Sequence, residues 1–299
     1  MTTITFRNDA GLDTAEYARY CGIIEAAAPL VADLSGLALP GRVIACPVTP
    51  AQFIERQVEH SVLMASLAIA SLPAGMFPDD AITTMIAQTR TYTEQMVSWL
   101  YPTSRAAVMF REGGAAELTF MPQVYDEHLH PTDRQLTTIF AHQLTHLSQY
   151  ALQVELAYAP LKCKLRDSAE GLPPEQHRAP AALTFGHGQY VERLVSEALC
   201  GQGVIGALPG EPGPSALYTE LRQAPQAPTN SPNFDLGEQL VKALVAAGGF
   251  PLLRAALTRE DLYPTEAEIV DPAPWIARLQ AAVESAAPTP FAVADGPLP

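Results

Sequence analysis

Little of this chain is basic. It has 18 Lys and Arg against 32 Asp and Glu, a formal net charge of -14. Such a surface repels phosphate backbones, so no nucleic-acid partner is expected, and nothing favours an anionic membrane. Cysteine is scarce too: Cys21, Cys46, Cys163 and Cys200 lie far apart, with no CxxC or similar spacing. They are expected to be reduced, mostly buried thiols in a cytoplasmic protein. The opening residues, MTTITFRNDAGLD, lack a basic region followed by an apolar one, so no signal peptide is expected. The most apolar run, VLMASLAIASL at 62–72, is interrupted by serines and too short to span a bilayer; it reads as the buried part of a helix. No Gly-rich phosphate loop stands out, GHGQ at 186–189 being too short. No Ser or Cys nucleophile does either, since packing at a helix end explains Cys200.

What is present is a 299-residue chain, 48% hydrophobic, long enough to bury a sizeable core. The first hundred residues read as helices. One covers 13–31, with Tyr17, Tyr20, Cys21 and Ile24 on one side. A second covers 49–72, capped by Thr49 with Pro50 at its first position. A third covers 79–100 with Ile82, Met85, Ile86, Tyr92, Met96 and Trp99. The texture then changes. RAAVMFREGGAAELTFMPQ at 105–123 has two short strand-like runs around Glu112-Gly113-Gly114, a hairpin signal. Thr132 and Gln135 form a capping box that opens a helix expected to run to about Ala159. Its core stripe is Leu136, Ile139 or Phe140, Leu144, Leu147, Ala151 and Val154. Residues 160–180 and 206–233 read as loops. Residues 185–201 open on glycines and turn helical, and 234–250 form a helix stopped by paired glycines. The expected fold is mainly α with a small β-sheet (α+β). It comprises a helical N-terminal region (1–100), a second region (101–286) and a disordered tail (287–299), together one compact unit.

Within FAHQLTHLSQY, His142 and His146 are four apart on a helix, so their rings project from one face, one turn apart. Two such rings can occupy two corners of a tetrahedral zinc site. In HExxH the glutamate beside the first histidine takes the proton from metal-bound water; here that position is Gln143, whose amide cannot take it but can orient a water or bond a substrate. The pair alone also fits two histidines on the polar flank of a helix. DEHLH at 126–130 reads as a solvated loop, and His60 as a core histidine.

Over roughly residues 100–280 the chain resembles the zincin metallopeptidases, in the branch whose third zinc ligand is a glutamate on a later helix. The strand hairpin precedes the helix TTIFAHQLTHLSQYAL, where such families read close to HExTHxxQ. FGHGQYVERLV looks like the family segment EGxAxYVE, and DLGEQLVKAL and YPTEAEIVDPAPW look like its C-terminal part. The resemblance implies a zincin-like fold and a cleft holding Phe185, His187 and Tyr190, with Tyr190 at the family's tyrosine position. It also exposes two departures. Gln143 replaces the general base, and Phe185 stands where the third ligand belongs.

His187, two residues on, is a replacement ligand that could join His142 and His146 in a three-histidine site; it equally fits a histidine bonded to backbone. Glu192, five residues beyond His187, is expected to point elsewhere. The site is thus open between zinc or another divalent metal and no metal at all. The expected activity is that of a divergent enzyme that has lost the peptidase glutamates. It would use Gln143, His142, His146 and Tyr190 on a small-molecule or peptide-like substrate. An atypical or engineered zinc peptidase and a non-catalytic pseudopeptidase are the alternatives. Nothing sets the oligomeric state.

Overall fold

The computed structural model describes residues 2–111, 115–171, 179–224 and 233–286. The Glu112-Gly113-Gly114 turn and the 287–299 tail, expected as a hairpin turn and as disorder, lie outside them.

The chain is mainly helical around one four-stranded sheet. Strand β1 (Thr3–Phe6) leads through α1 (Thr14–Leu34) to a parallel β2 (Arg42–Pro47). Helices α2 (Pro50–Ala70) and α3 (Asp79–Leu100) follow. Then β3 (Ala107–Phe110) and β4 (Ala116–Phe120) pair antiparallel, as the hairpin pattern predicts. β4 inserts parallel beside β2, giving the order β1-β2-β4-β3 with β3 at an edge. A turn α4 (Pro122–Val124) and a π-helical turn (Tyr125–Leu129) take the place of the expected DEHLH loop.

Helix α5 (Asp133–Leu152) carries the histidine pair. It starts where the sequence says, with the Thr132 hydroxyl and the Gln135 side chain each satisfying the other's backbone N–H. It ends seven residues sooner than expected: Gln153 is extended, and Ala151 and Val154 are exposed rather than core. Then come α6 (Ala159–Ala169), in a stretch expected to be loop, α7 (Ala179–Cys200), α8 (Ala216–Gln223), also within an expected loop, α9 (Asn233–Thr258), α10 (Glu266–Val270) and α11 (Ala273–Ala286). α9 kinks at Gly249 (φ 66°) instead of stopping there. It is apolar and long enough to cross a bilayer by composition, but Leu240, Val241, Leu244 and Leu253 are buried in the fold.

β1 and β2 correct the all-helical reading of the first hundred residues. They also join residues before 100 to residues after it in one sheet. Each strand is only four to six residues long, too short for its alternation to stand out beside long helices. One core lies between the sheet, α1 and α5, built on Ile24, Val43, Leu118, Phe120, Phe140 and Leu144. A second joins α7, α9 and α11 around Leu183, Leu240, Leu253 and Trp275.

α7 is the hinge between the two. Gly186 and Gly237 let α7 and α9 cross backbone on backbone: a Cβ on Gly237 would lie 2.3 Å from the Ala182 carbonyl oxygen. Gly188, two residues on and so on the roughly opposite face of α7, faces α5. The glycines expected to open this helix lie inside it, and they position it.

Candidate functional site

α5 presents His142 and His146 toward α7, and α7 answers with Phe185, Gly188 and Glu192. These three lie at i, i+3 and i+7, one helical face. The expectation that Glu192 points elsewhere is therefore corrected. Counted from His187 it is off-face; counted from Phe185 it is two turns on, and that spacing was the missed signal. A Cβ on Gly188 would approach His142 Nε2 to 2.9 Å, so the glycine makes room for the imidazole.

The side chains form one continuous polar chain. Arg105, just before β3, pairs with Glu192 Oε1. Glu192 Oε2 meets His142 Nδ1 at 3.1 Å, and His142 Nε2 meets His146 Nε2 at 3.1 Å. His146 Nδ1 lies 2.8 Å from Gln149 Oε1. The Gln149 amide nitrogen donates to the Thr184 carbonyl at 2.9 Å and to His187 Nδ1 at 3.1 Å. His187 Nε2 closes the chain on the Ser35 carbonyl at 3.0 Å.

Each donor can be assigned from its partner. The Thr184 carbonyl can only accept, so the Gln149 nitrogen points there and its oxygen takes the His146 Nδ1 proton. His146 then turns the lone pair of Nε2 toward His142. Burial first, then the neighbouring His142, lower the His146 pKa to about 3 against an opposing pull from the Gln149 hydrogen bond, so this ring is neutral. Burial also lowers the His187 pKa to about 4. Burial raises the Glu192 pKa, but Arg105 and His142 more than offset it and hold the carboxyl at about 2. Glu192 is thus an ionised acceptor, and His142 Nδ1 must donate to it. The Nε2 atom of His142 thus faces the lone pair of His146 Nε2.

A zinc ion fits this arrangement only in part. Two Nε2 atoms at tetrahedral corners with 2.0–2.1 Å bonds lie about 3.3 Å apart, near the distance found, and each ring has an acceptor on Nδ1, as metal-bound histidines do. The third corner fails. His187 is fully buried with both nitrogens spent, and Phe185 packs edge-on to His146 at 5.6 Å between centroids. Among the described residues no group of three His, Cys, Asp or Glu side chains is placed to hold a metal ion. The three-histidine ligand set is corrected accordingly: His187 is the backbone-bonded histidine, and the residues do not fit a three-ligand zinc centre.

The remaining expected residues divide. Gln143, half-buried beside His142, makes no hydrogen bond among the described residues. Tyr190 packs against both apolar clusters and has no hydrogen bond or ring contact to the histidines among the described residues. It lies five residues from Phe185, on another face of α7. The edge strand does border the site, by a relay of rings. Phe110 of β3 packs on Tyr150 at 5.4 Å, and Tyr150 stacks on His146 at 6.0 Å. His60, read as core, accepts the Phe110 backbone N–H on Nδ1. Sequence reasoning missed Arg105 and Gln149 as members of the site and turned Glu192 away from it.

No family model matches the chain, and no curated protein matches it. Among solved structures it is similar to one from Chloroflexus aurantiacus described as "a putative hydrolase with a novel fold". Identity is 16% and the TM-score 0.42, over 91% of this chain and 93% of that one. A likeness of that size assigns no chemistry.

Proposed function

We propose that this protein is an acid–base enzyme on a zincin-like scaffold, acting on a small or peptide-like substrate at His142. The observation that carries this reading is the exposure gradient along the polar chain. Glu192 is 1% exposed and His146 4%, whereas the His142 side chain keeps 11% of its surface open. A buried ionised carboxylate behind a solvent-reaching imidazole fixes the ring's orientation. His142 gives or takes the proton, Glu192 positions it, and the Gln143 amide contacts substrate. Phe185 in place of a ligand makes the mouth apolar, which suits a substrate with an apolar portion.

The test is turnover on a panel of ester, amide and peptide substrates, with and without chelator. His142→Ala is expected to lower the rate by ~10²–10⁴-fold, the usual contribution of a general acid or base. Glu192→Gln should shift the pH–rate profile. Activity that dies with chelator and returns with zinc would overturn the reading in favour of a metallopeptidase. Binding of a protein partner that depends on Phe185, with no turnover on any substrate, would favour a non-catalytic role.

A further inference from the structure

We infer that Arg105 is the anchor for an oxyanion group on the substrate, a carboxylate or a phosphate. The guanidinium carries five N–H donors. Among the described residues only one of them, on Nη2, is spent, and it goes to Glu192 Oε1. The other four have no protein acceptor there, although 26% of the side chain is open to solvent. An arginine held this way is a charged group with its hydrogen-bonding fork largely unused.

Its position is fixed rather than floating. The Tyr125 hydroxyl donates to the Arg105 carbonyl, and the segment runs straight into the edge strand β3. Tyr125 itself is fully buried, stacked on Phe120. The two oxygens of Glu192 then link Arg105 to His142: Oε1 takes the guanidinium, Oε2 the imidazole. The guanidinium and the imidazole therefore flank one carboxylate, and both keep a solvent-facing part. The guanidinium's charge and its unused donors favour an incoming anion, against the -14 of the chain as a whole. Guanidinium forks match carboxylate and phosphate geometry. An oxyanion held by the free Arg105 donors brings its attached group alongside His142, so Arg105 sets the substrate class and His142 acts on it.

This inference rests on the acid–base reading only in calling the anion a substrate. Anion binding is measured without turnover, so failure of either idea is seen separately. Native protein is titrated with sodium acetate and, separately, with inorganic phosphate at constant ionic strength, following histidine ring protons by NMR. A saturable shift of the His142 resonance is expected with one of the two, and the one that saturates names the oxyanion. In Arg105→Gln the affinity should fall about tenfold or more, the loss expected for a hydrogen bond to a charged group. Arg105→Lys, which keeps a charge for Glu192 should the first variant not fold, is expected to bind more weakly than native but measurably. Phenylglyoxal, which modifies free guanidinium groups, should label Arg105, with the bound anion protecting it. No saturable shift with either anion, or equal affinity in folded Arg105→Gln, would overturn the assignment.

Discussion

Phe185 faces the histidine pair from α7. Its ring meets His146 edge-on, and its backbone lies one helical turn before Gly188, which itself abuts His142 Nε2. A carboxylate there would face two nitrogens already oriented by acceptors on their far sides, Glu192 and Gln149. Phe185→Glu is therefore expected to create a zinc centre with about one metal per chain after dialysis against zinc, two histidines and one carboxylate being a usual protein set. Gln143→Glu alone should take up no more zinc than native protein, because the third corner stays a phenylalanine. Metal analysis of the three proteins decides it. Zinc bound equally by native protein would show that the phenylalanine does not block the third corner. The same residue shows what was legible. That Gln143 and Phe185 stand where the resemblance would put carboxylates could be read from HQLTH and FGHGQY. The contact of Glu192 with His142 could not, because its phase depends on α7 being continuous from Ala179 through the glycines.

Helices were read from the sequence where a cap or a long apolar repeat announced them. Thr49 with Gln52 and Thr132 with Gln135 put reciprocal hydrogen bonds at the ends of α2 and α5. Short elements were missed: β1 and β2 owe their form to pairing with strands far along the chain, and α6 and α8 lie in proline-bearing stretches that local signals mark as loop. Glycines were misread for a related reason. Inside a helix a glycine normally costs about 1 kcal/mol relative to alanine, which argues for a boundary. Gly186, Gly188 and Gly237 pay that cost for close approach instead. Gly237→Ala tests the point. Its Cβ would meet the Ala182 carbonyl, a backbone atom that cannot swing aside. Despite alanine's better helix propensity, the variant should lose stability by at least the ~1–3 kcal/mol typical of overpacking, read as a lower denaturant midpoint. A neutral or stabilised variant would mean that α7 and α9 do not cross there. Because α7 also carries Phe185, Gly188 and Glu192, the displaced helix should lower His142-dependent activity along with stability.

Across the whole molecule, three histidines are kept uncharged by the fold. Burial lowers the pKa of His146 to about 3 and those of His187 and His60 to about 4, from an ordinary 6.5. The sign follows from proton counts. Between pH 6.5 and 4 the unfolded chain binds protons on these rings and the folded chain does not. Stability is therefore complete above about pH 6.5 and falls as the pH drops toward the folded values. Each ring contributes a slope of up to about 1.4 kcal/mol per pH unit, so three together give about 4. Against a typical total of 5–15 kcal/mol, that slope is enough to unfold the chain within roughly two to three units below pH 6.5. Glu192 acts later. Its pKa is depressed to about 2, so the stability it confers is present above its ordinary 4.5 and is lost only below it. Acid unfolding should accordingly be set by the histidines, with a proton uptake on unfolding near pH 5 close to three. His60 supplies the control, since it accepts the Phe110 N–H from β3 and lies outside the polar chain. In His60→Gln the uptake should drop by about one while the rest of the curve keeps its shape. Denaturant midpoints measured every half unit from pH 8 to 4 give both slopes. A flat native profile across that range would show that the interior accommodates charged rings, and the neutral assignment of His146 would fall with it.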